Sequence, residues 1–296
     1  MTKKRKTAYI AYGISLPILL VIGIVVIFPI LFTMYISFTN MNTYHWFEYD
    51  FVGFKNYARA VLTFDSGFLY ALINTILWTA VNMGVQLFVA FVIANFLNVK
   101  WLKGKRIYKT ILMFPWAMPG YVSILLWKTG MFNSQFGLLN QWLIDLHLPV
   151  VSWLSGDMIA FFSCTLVNLW LALPFMIMIM DGGLQSIDRA YYESATLDGA
   201  GAIVQSIAIT LPCLKPIIGP AVIITVFTTF KQFDVIYLLT QQIGAQTGAQ
   251  IHTVITYAYE NAFITNNYGY SSAISTLIFI MLIVFAQMTR RKGVKA

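Results

Sequence analysis

The stretch YYESATLDGAGAIVQSIAITLP, from Tyr191 to Pro212, decides how the rest of the sequence is interpreted. It places Glu193 and Asp198 between two long apolar runs, and charged residues are too costly to lie in lipid there. Two helical patterns meet at the Gly-Ala-Gly sequence 199–201, where small side chains allow a tight turn. The pattern predicts a helix-turn-helix on a membrane face, with a packed amphipathic loop as the structural alternative. We expect a larger side chain at Gly199 to clash at this turn.

The apolar runs on both sides of this stretch are long enough to cross a membrane. Hydrophobic residues make up 59% of the 296-residue chain and charged residues only 10%. A spanning helix needs about 20 mostly apolar residues. Segments that meet this requirement are 9–38, 68–96, 107–128, 158–180, 214–239 and 268–288. The predicted fold is an all-α, polytopic membrane helical bundle with six transmembrane helices, forming a single domain over 1–296.

Basic residues cluster beside the apolar runs and predict the orientation of the chain. The net charge of +8 is not gathered on one amphipathic face, which disfavours nucleic-acid binding. Cytoplasmic connections of membrane proteins are enriched in Lys and Arg. We therefore predict a multi-pass protein of the cell membrane with both termini in the cytoplasm. This orientation places three basic clusters on that side: Lys3, Lys4, Arg5 and Lys6; Lys100, Lys103, Lys105, Arg106 and Lys109; and Arg290, Arg291, Lys292 and Lys295.

Prolines and missing motifs narrow the class of membrane protein. Several spans contain prolines, which free backbone carbonyls that neighbouring helices or cavity water must satisfy, and this favours a transporter over a simple anchor. Ordinary helix kinks are the alternative explanation. The sequence has no HExxH, GxSxG or phosphate-loop motif, so we predict no catalytic residue and no metal ligand. An ion-coupled secondary transporter also fits six spans with broken helices.

The polar stretch resembles the EAA signature of ATP-binding-cassette import permeases. That signature reads E-A-A, three residues, G, nine residues and I-x-L-P, and Ser194 is the single departure from it in this sequence. The flanking sequence VNLWLALPFMIMIMDGGLQSI at 167–187 resembles the carbohydrate-uptake branch, the family of maltose, maltodextrin and trehalose permeases. The resemblance implies a cytoplasmic coupling loop at about 184–213, with contacts to an ATPase at Glu193, Ser194, Ala195, Asp198, Gly199, Leu211 and Pro212.

The resemblance also implies a division of labour among subunits. Two permease subunits would form the pathway, an extracellular solute-binding protein would deliver the sugar, and two ATPase subunits would dock on the coupling loops. Because this chain has no phosphate loop, ATP and Mg would be bound by the ATPase subunits, and the chain would be a transport subunit and not an enzyme. The implied substrate is a neutral di- or oligosaccharide of maltose type.

Sugar contacts are implied by the same resemblance in two of the spans. The positions are Asn168, Ala172 and Phe175 in the fourth span, and Thr228, Thr229 and Gln232 in the fifth. Asn168 and Phe175 are seven residues apart, which places them on one face of a helix.

Lys231 and Asp234 are ionisable residues within the fifth predicted span. Such groups are costly in a membrane and are candidates for function. Their i, i+3 spacing predicts a mutual ion pair. The alternative is that Lys231 faces the cavity and binds an acidic or phosphorylated sugar.

Asn74 and Gln86 in the second span are expected to form hydrogen bonds between helices.

Overall fold

The computed structural model describes residues 3–63, 67–99, 101–240 and 251–293. Within these ranges the chain is helical, and the only strand-like feature is an isolated antiparallel bridge between Thr39 and Phe51. Lys100 and Lys295 of the basic clusters, and residues 241–250 after the fifth predicted span, lie outside the described residues. The chain divides into two compact units, one of Met1–Ala71 with Tyr257–Ala286 and one of Leu72–Thr256 with Gln287–Ala296.

The described residues form α-helices that we number along the chain. Short π-helical segments at Gly23–Ile27, Trp127–Met131 and Ser206–Thr210 continue some of them. The α-helices are α1 (Lys3–Ile22), α2 (Phe28–Ile36), α3 (Lys55–Leu62), α4 (Phe68–Asn98), α5 (Lys105–Ala117), α6 (Gly120–Leu126), α7 (Leu138–Asp145), α8 (Asp157–Ser186), α9 (Arg189–Leu197), α10 (Ala202–Gln205), α11 (Leu211–Phe230), α12 (Asp234–Thr240), α13 (Val254–Phe263) and α14 (Tyr268–Gly293).

Among the described residues, five helical runs are long and apolar enough to cross a membrane. They are Tyr12–Ile36, Phe68–Asn98, Asp157–Ser186, Ala202–Thr240 and Tyr268–Thr289. A bent pair, α5 with α6 and the π segment that follows it, raises the number to six when it is counted as one span. The predicted all-α membrane bundle is therefore confirmed, with a third span that differs in shape from the others.

The third span is broken, although the apolar pattern predicted a continuous helix over 107–128. Its halves, Lys105–Ala117 and Gly120–Met131, meet at an angle of 94°. The break lies at Met118 and Pro119, where Met118 has the extended backbone angles φ −85° and ψ 144°. A residue before proline is driven out of the helical region by the proline ring, which explains why α5 stops here.

The fifth span begins earlier than predicted and also contains a break. We expected the second helix of the polar stretch to be short and separate from a span over 214–239. Instead α10 continues through the π segment into α11 without interruption, so the helical run starts at Ala202. The run is interrupted between Phe230 and Asp234, where Lys231 has left the regular helix with φ −94° and ψ 16°.

Within the second unit, α4 and α8 lie side by side and run in the same direction. Buried alanines on α4, Ala90 and Ala94, belong to an apolar cluster with Met176, Ile177 and Met180 of α8. Small residues at such positions let two helix backbones approach closely.

Polar contacts join the same two helices along their length. Asn82 is hydrogen-bonded to Asn168, Gln86 to the carbonyl of Ala172, and Asn98 to Asp181. The residue numbers rise together on both helices, which shows that the helices are parallel. The contact made by Gln86 is the interhelical hydrogen bond expected from the sequence.

In the first unit, the region between α2 and α3 is held by side-chain hydrogen bonds. Asn56 donates from Nδ2 to the carbonyl oxygens of Ser37, at 2.9 Å, and Thr39, at 2.8 Å. Arg59 lies over the ring of Tyr270 with its guanidinium carbon 4.4 Å from the ring centroid, a cation–π contact between α3 and α14.

Candidate functional site

The predicted coupling loop folds as a helix, a tight turn and the start of the fifth span. The Asp188 carboxylate accepts a 3.0 Å hydrogen bond from the backbone N–H of Ala190 and so caps the N-terminus of α9. At the other end, the N–H of Ala200 donates to the carbonyl of Ala195 and the N–H of Gly199 to that of Thr196. This pair of bonds is a Schellman motif, which satisfies the last carbonyls of a helix.

Gly199 occupies the left-handed position that a Schellman motif requires, with φ +79°. A Cβ added at Gly199 would meet no atom within 4 Å, so the first atom of a side chain would not clash at this turn. The glycine is needed because other residues rarely adopt this backbone conformation. Gly201, two residues later, has an ordinary φ of −73° and equally open space.

Side chains fasten α9 to the helix that follows the turn. Gln205 donates from Nε2 to Oγ1 of Thr196 at 3.0 Å and to the carbonyl of Ala200 at 2.9 Å. The hydroxyl groups of Tyr192 and Thr210 are 3.0 Å apart. These contacts cross from α9 to α10 and the π segment, so they join α9 to the start of the fifth span.

The outer surface of this loop is exposed and apolar in parts. Leu197 is 90% exposed and Ile203 is 76% exposed, which leaves large apolar side chains available to a protein partner. Exposed positions also include Glu193, Ser194, Asp198, Leu211 and Pro212, whereas Ala195 is half-buried.

The fourth-span residues implied for sugar binding lie on α8 in different surroundings. Asn168 is buried at 5% exposure, and its Nδ2 donates a 2.7 Å hydrogen bond to Oδ1 of Asn82. Ala172 accepts a hydrogen bond from Gln86 through its carbonyl. Phe175 is half-buried and packs against the apolar cluster between α4 and α8. In this structure, Asn168 joins two helices of the same chain.

The fifth-span residues lie at or near the break between α11 and α12. Thr228 is exposed, and its hydroxyl bonds to the carbonyl of Thr225 in its own helix at 2.9 Å. Thr229 is buried at 4% exposure. Gln232 is half-buried within the break, where its backbone N–H donates to the carbonyl of Thr229.

Lys231 and Asp234 do not form the predicted ion pair. Both side chains are exposed, and no contact within 4.0 Å joins their charged groups. The prediction assumed continuous helix between them, but α11 ends at Phe230 and α12 begins at Asp234. Asp234 instead stands in the first turn of α12, where a negative charge is favoured by the helix dipole.

A buried carboxylate at the end of the fourth span was not predicted from the sequence. Asp181 is 2% exposed and forms a salt bridge with Lys109 of α5, with Nζ and Oδ2 2.5 Å apart. Asp181 follows directly after the predicted end of the fourth span, and Lys109 was predicted to lie in a basic cluster and near the start of the third span. An acidic residue at the edge of an apolar run, with a lysine near the start of another, was the available signal.

Two further polar residues of the second span, Trp78 and Asn82, were not predicted from the sequence. With the predicted Gln86 they lie at i, i+4 and i+8 on one face of α4, and all three are buried. The indole N–H of Trp78 and Oε1 of Gln86 have no hydrogen-bond partner among the described residues.

Within the same ranges, no cluster of three or more His, Cys, Asp or Glu residues is placed to hold a metal ion.

Comparison with known proteins identifies relatives over nearly the whole chain. The trehalose/maltose transport system permease protein of Thermococcus litoralis is 33% identical over 290 residues, which cover 98% of this chain and 95% of that protein. The galactooligosaccharides transport system permease protein of Bacillus subtilis is 33% identical over 297 residues, covering 96% of this chain and 70% of that protein.

The fold also matches a solved transporter. The crystal structure of a bacterial alginate ABC transporter, in complex with an alginate pentasaccharide-bound periplasmic protein, contains a chain that aligns with a TM-score of 0.81. The two chains are 21% identical, and the alignment covers 98% of this chain and 97% of the other. The family model described as "Binding-protein-dependent transport system inner membrane component" matches residues 86–291. The chain therefore belongs to the family of inner membrane components of binding-protein-dependent transport systems.

Proposed function

We propose that this chain is one of two permease subunits of an ATP-binding-cassette importer that carries a neutral di- or oligosaccharide into the cytoplasm. The observation that carries the substrate class is the 33% identity to a trehalose/maltose permease protein along nearly the full length of both chains. Family membership favours this importer over the ion-coupled carrier considered from the sequence. The two compact units would work together as a single permease domain with both termini in the cytoplasm.

The coupling loop is proposed to receive the movement of an ATPase subunit. Its rigid Schellman turn and its hydrogen bonds to the start of the fifth span support this role, as do the exposed Leu197 and Ile203. ATP and Mg would be bound by two separate ATPase subunits, and an extracellular binding protein would deliver the sugar. Closing the ATPase dimer would then move α9 and the spans attached to it, exchanging inward-open and outward-open cavities.

The sugar is proposed to contact α8 and the break in the fifth span. Asn168, Ala172 and Phe175 would contribute from α8, and Thr228, Thr229 and Gln232 from α11 and the break. The interrupted helix after Phe230 supports this placement, because broken spans provide non-helical backbone and side chains where a cavity is lined.

An acidic or phosphorylated sugar is the second candidate substrate. Lys231 favours it, because its ammonium group is exposed and is not paired with Asp234. A cation at a break in a span is available to a carboxylate or phosphate of a ligand.

Reconstitution of the complete complex tests both candidates. The chain would be purified with its partner permease, its ATPase subunits and its binding protein, and placed in proteoliposomes. We expect ATP-dependent uptake of maltose-type sugars and no uptake of uronic acid oligosaccharides. Uptake of only the acidic sugars would select the second candidate. Uptake that persists without the ATPase subunits and stops when an ion gradient collapses would contradict the importer.

A further inference from the structure

The carboxylate of Asp181 joins three segments of the second unit. Its Oδ2 accepts hydrogen bonds from Nζ of Lys109 at 2.5 Å and from Nε2 of Gln185 at 2.8 Å. Its Oδ1 accepts a 2.9 Å hydrogen bond from Nδ2 of Asn98. Asn98 ends α4, Lys109 belongs to α5, and Gln185 lies one turn after Asp181 on α8. One side chain thus connects the second, third and fourth spans.

Burial of the Asp181 carboxylate carries a cost in free energy. Asp181 is 2% exposed, and placing a carboxylate there removes it from water. A buried ion pair is weak support for stability, because well-packed apolar residues of similar volume often stabilise a protein as well or better. In some proteins, buried ionic groups instead fix one particular arrangement of helices.

The two amide donors connect Asp181 to the coupling loop. Asn98 and Gln185 both line a cavity of about 660 Å³. Tyr192 and Glu193 of α9 and Gln205 of α10 line the same cavity. The two amides that donate to the carboxylate therefore border a cavity that the coupling loop also lines, at the end of α8 that leads into α9.

The cationic donor connects Asp181 to the broken third span. Lys109 lies on α5, which packs along α8 and ends at the 94° bend. The remainder of the third span, from Gly120, points in a different direction. A displacement of α5 can be absorbed at Met118 and Pro119, where the helix is already interrupted.

We propose that Asp181 is a positioning residue that makes α5 follow the coupling loop during the transport cycle. The proposal rests on the importer function proposed above and names the residue pair through which that function acts. When the ATPase subunit moves α9, the end of α8 moves with it. Because Asp181 is paired with Lys109, α5 moves as well. The break in the third span lets this displacement of α5 open or close the pathway.

The test uses the complete complex in proteoliposomes and the double variant Lys109→Met with Asp181→Leu. This variant removes both charges and retains side chains of similar size. We expect the complex to assemble with its thermal stability retained. The number of ATP molecules hydrolysed per sugar transported should rise about tenfold, which lies within the range typical of coupling between sites.

Lys105→Met is the matched control, because it removes the same charge one helical turn earlier on α5. We expect it to leave the ratio of ATP to sugar unchanged. An unchanged ratio in the double variant would overturn the proposal, and so would a loss of stability without a change in the ratio, since both results indicate a structural contact only. If the double variant does not assemble, the ratio of ATP to sugar is measured for Asp181→Asn. If neither variant assembles, the ion pair is needed for the structure and the proposal is also overturned. Absence of ATP-driven sugar uptake in the unaltered complex would instead contradict the importer function itself.

Discussion

The side-chain amide of Asn168 donates a 2.7 Å hydrogen bond to the side-chain oxygen of Asn82, so the two residues join α8 to α4. Asn82 is oriented for this contact by its own Nδ2, which donates to the carbonyl of Trp78 at 2.9 Å. Asn168 is also proposed to contact the sugar. A role in joining helices and a role in binding make different predictions for the two asparagines.

Replacing Asn168 with alanine is expected to weaken sugar binding and to lower stability. Removing one partner of a buried hydrogen bond costs about 1–3 kcal/mol, because the other is left unsatisfied. Asn82→Ala is the matched control, since it breaks the same bond from the other side. We expect both variants to lose thermal stability, but only Asn168→Ala to raise KM for sugar uptake. Equal KM values in the two variants would place the sugar elsewhere.

A substitution at Gly199 should disturb coupling through the backbone and not through contact. Alanine in the left-handed conformation costs about 1–2 kcal/mol, so Gly199→Ala should loosen the Schellman turn. We expect more ATP to be hydrolysed per sugar transported. Gly201→Ala is the control, because Gly201 has a negative φ and open space around it. An unchanged ratio of ATP to sugar in a well-folded Gly199→Ala complex would show that the turn has no role in coupling.

Lys231→Met distinguishes a neutral substrate from an acidic one. Lys231 is exposed and does not pair with Asp234, so its removal leaves no buried charge behind. We expect the variant to assemble and to transport maltose-type sugars at nearly the unaltered rate. Asp234→Asn serves as the comparison, since it changes the other charge at the same break. A complete loss of uptake in Lys231→Met at equal expression would indicate an anionic ligand.

Two adjacent glycines on α8 predict opposite effects of the same substitution. A Cβ at Gly183 would lie 2.7 Å from Cδ2 of Leu214, which is fully buried on α11, whereas a Cβ at Gly182 would meet nothing within 4 Å. Gly183→Ala should therefore destabilise the protein by about 1–3 kcal/mol through overpacking. Gly182→Ala should be neutral or stabilising by up to about 1 kcal/mol, because alanine is the better helix former.

Thermal unfolding of the purified complex, measured for both alanine variants side by side, compares them directly. Equal midpoints for Gly182→Ala and Gly183→Ala would contradict the close packing of α8 against α11.

The length of the apolar runs was sufficient to predict most of the spans. Helices α4, α8 and α14 begin at or within one residue of the predicted segments 68–96, 158–180 and 268–288, since an uninterrupted apolar run leaves few other structures possible in a membrane. The runs themselves do not fix where a helix changes direction. The proline at position 119 was visible in the sequence, but a proline does not always end a helix, because α8 continues through Pro174.

Side-chain pairing was the part that the sequence could not provide. Lys231 and Asp234 had the spacing of an ion pair but are separated by a helix break, while Lys109 and Asp181, 72 residues apart, form one. Such pairing depends on how distant helices pack, which no local pattern contains. The EAA-like spacing around Gly199 carried more information, because a Schellman turn is specified by residues close together in sequence.

The parallel contacts between α4 and α8 also restrict how the protein can change shape. Sliding one helix by a single residue, or turning it by the roughly 100° that separates neighbouring residues, would break the contacts at Asn82, Gln86 and Asn98 together. We therefore expect α4 and α8 to move together as one rigid pair of helices, with their register unchanged. The interruptions at Met118–Pro119 and between Phe230 and Asp234 are the places where we expect hinge movement. We expect a cross-link that bridges either interruption to hold the protein in one state and to leave the contacts between α4 and α8 unchanged.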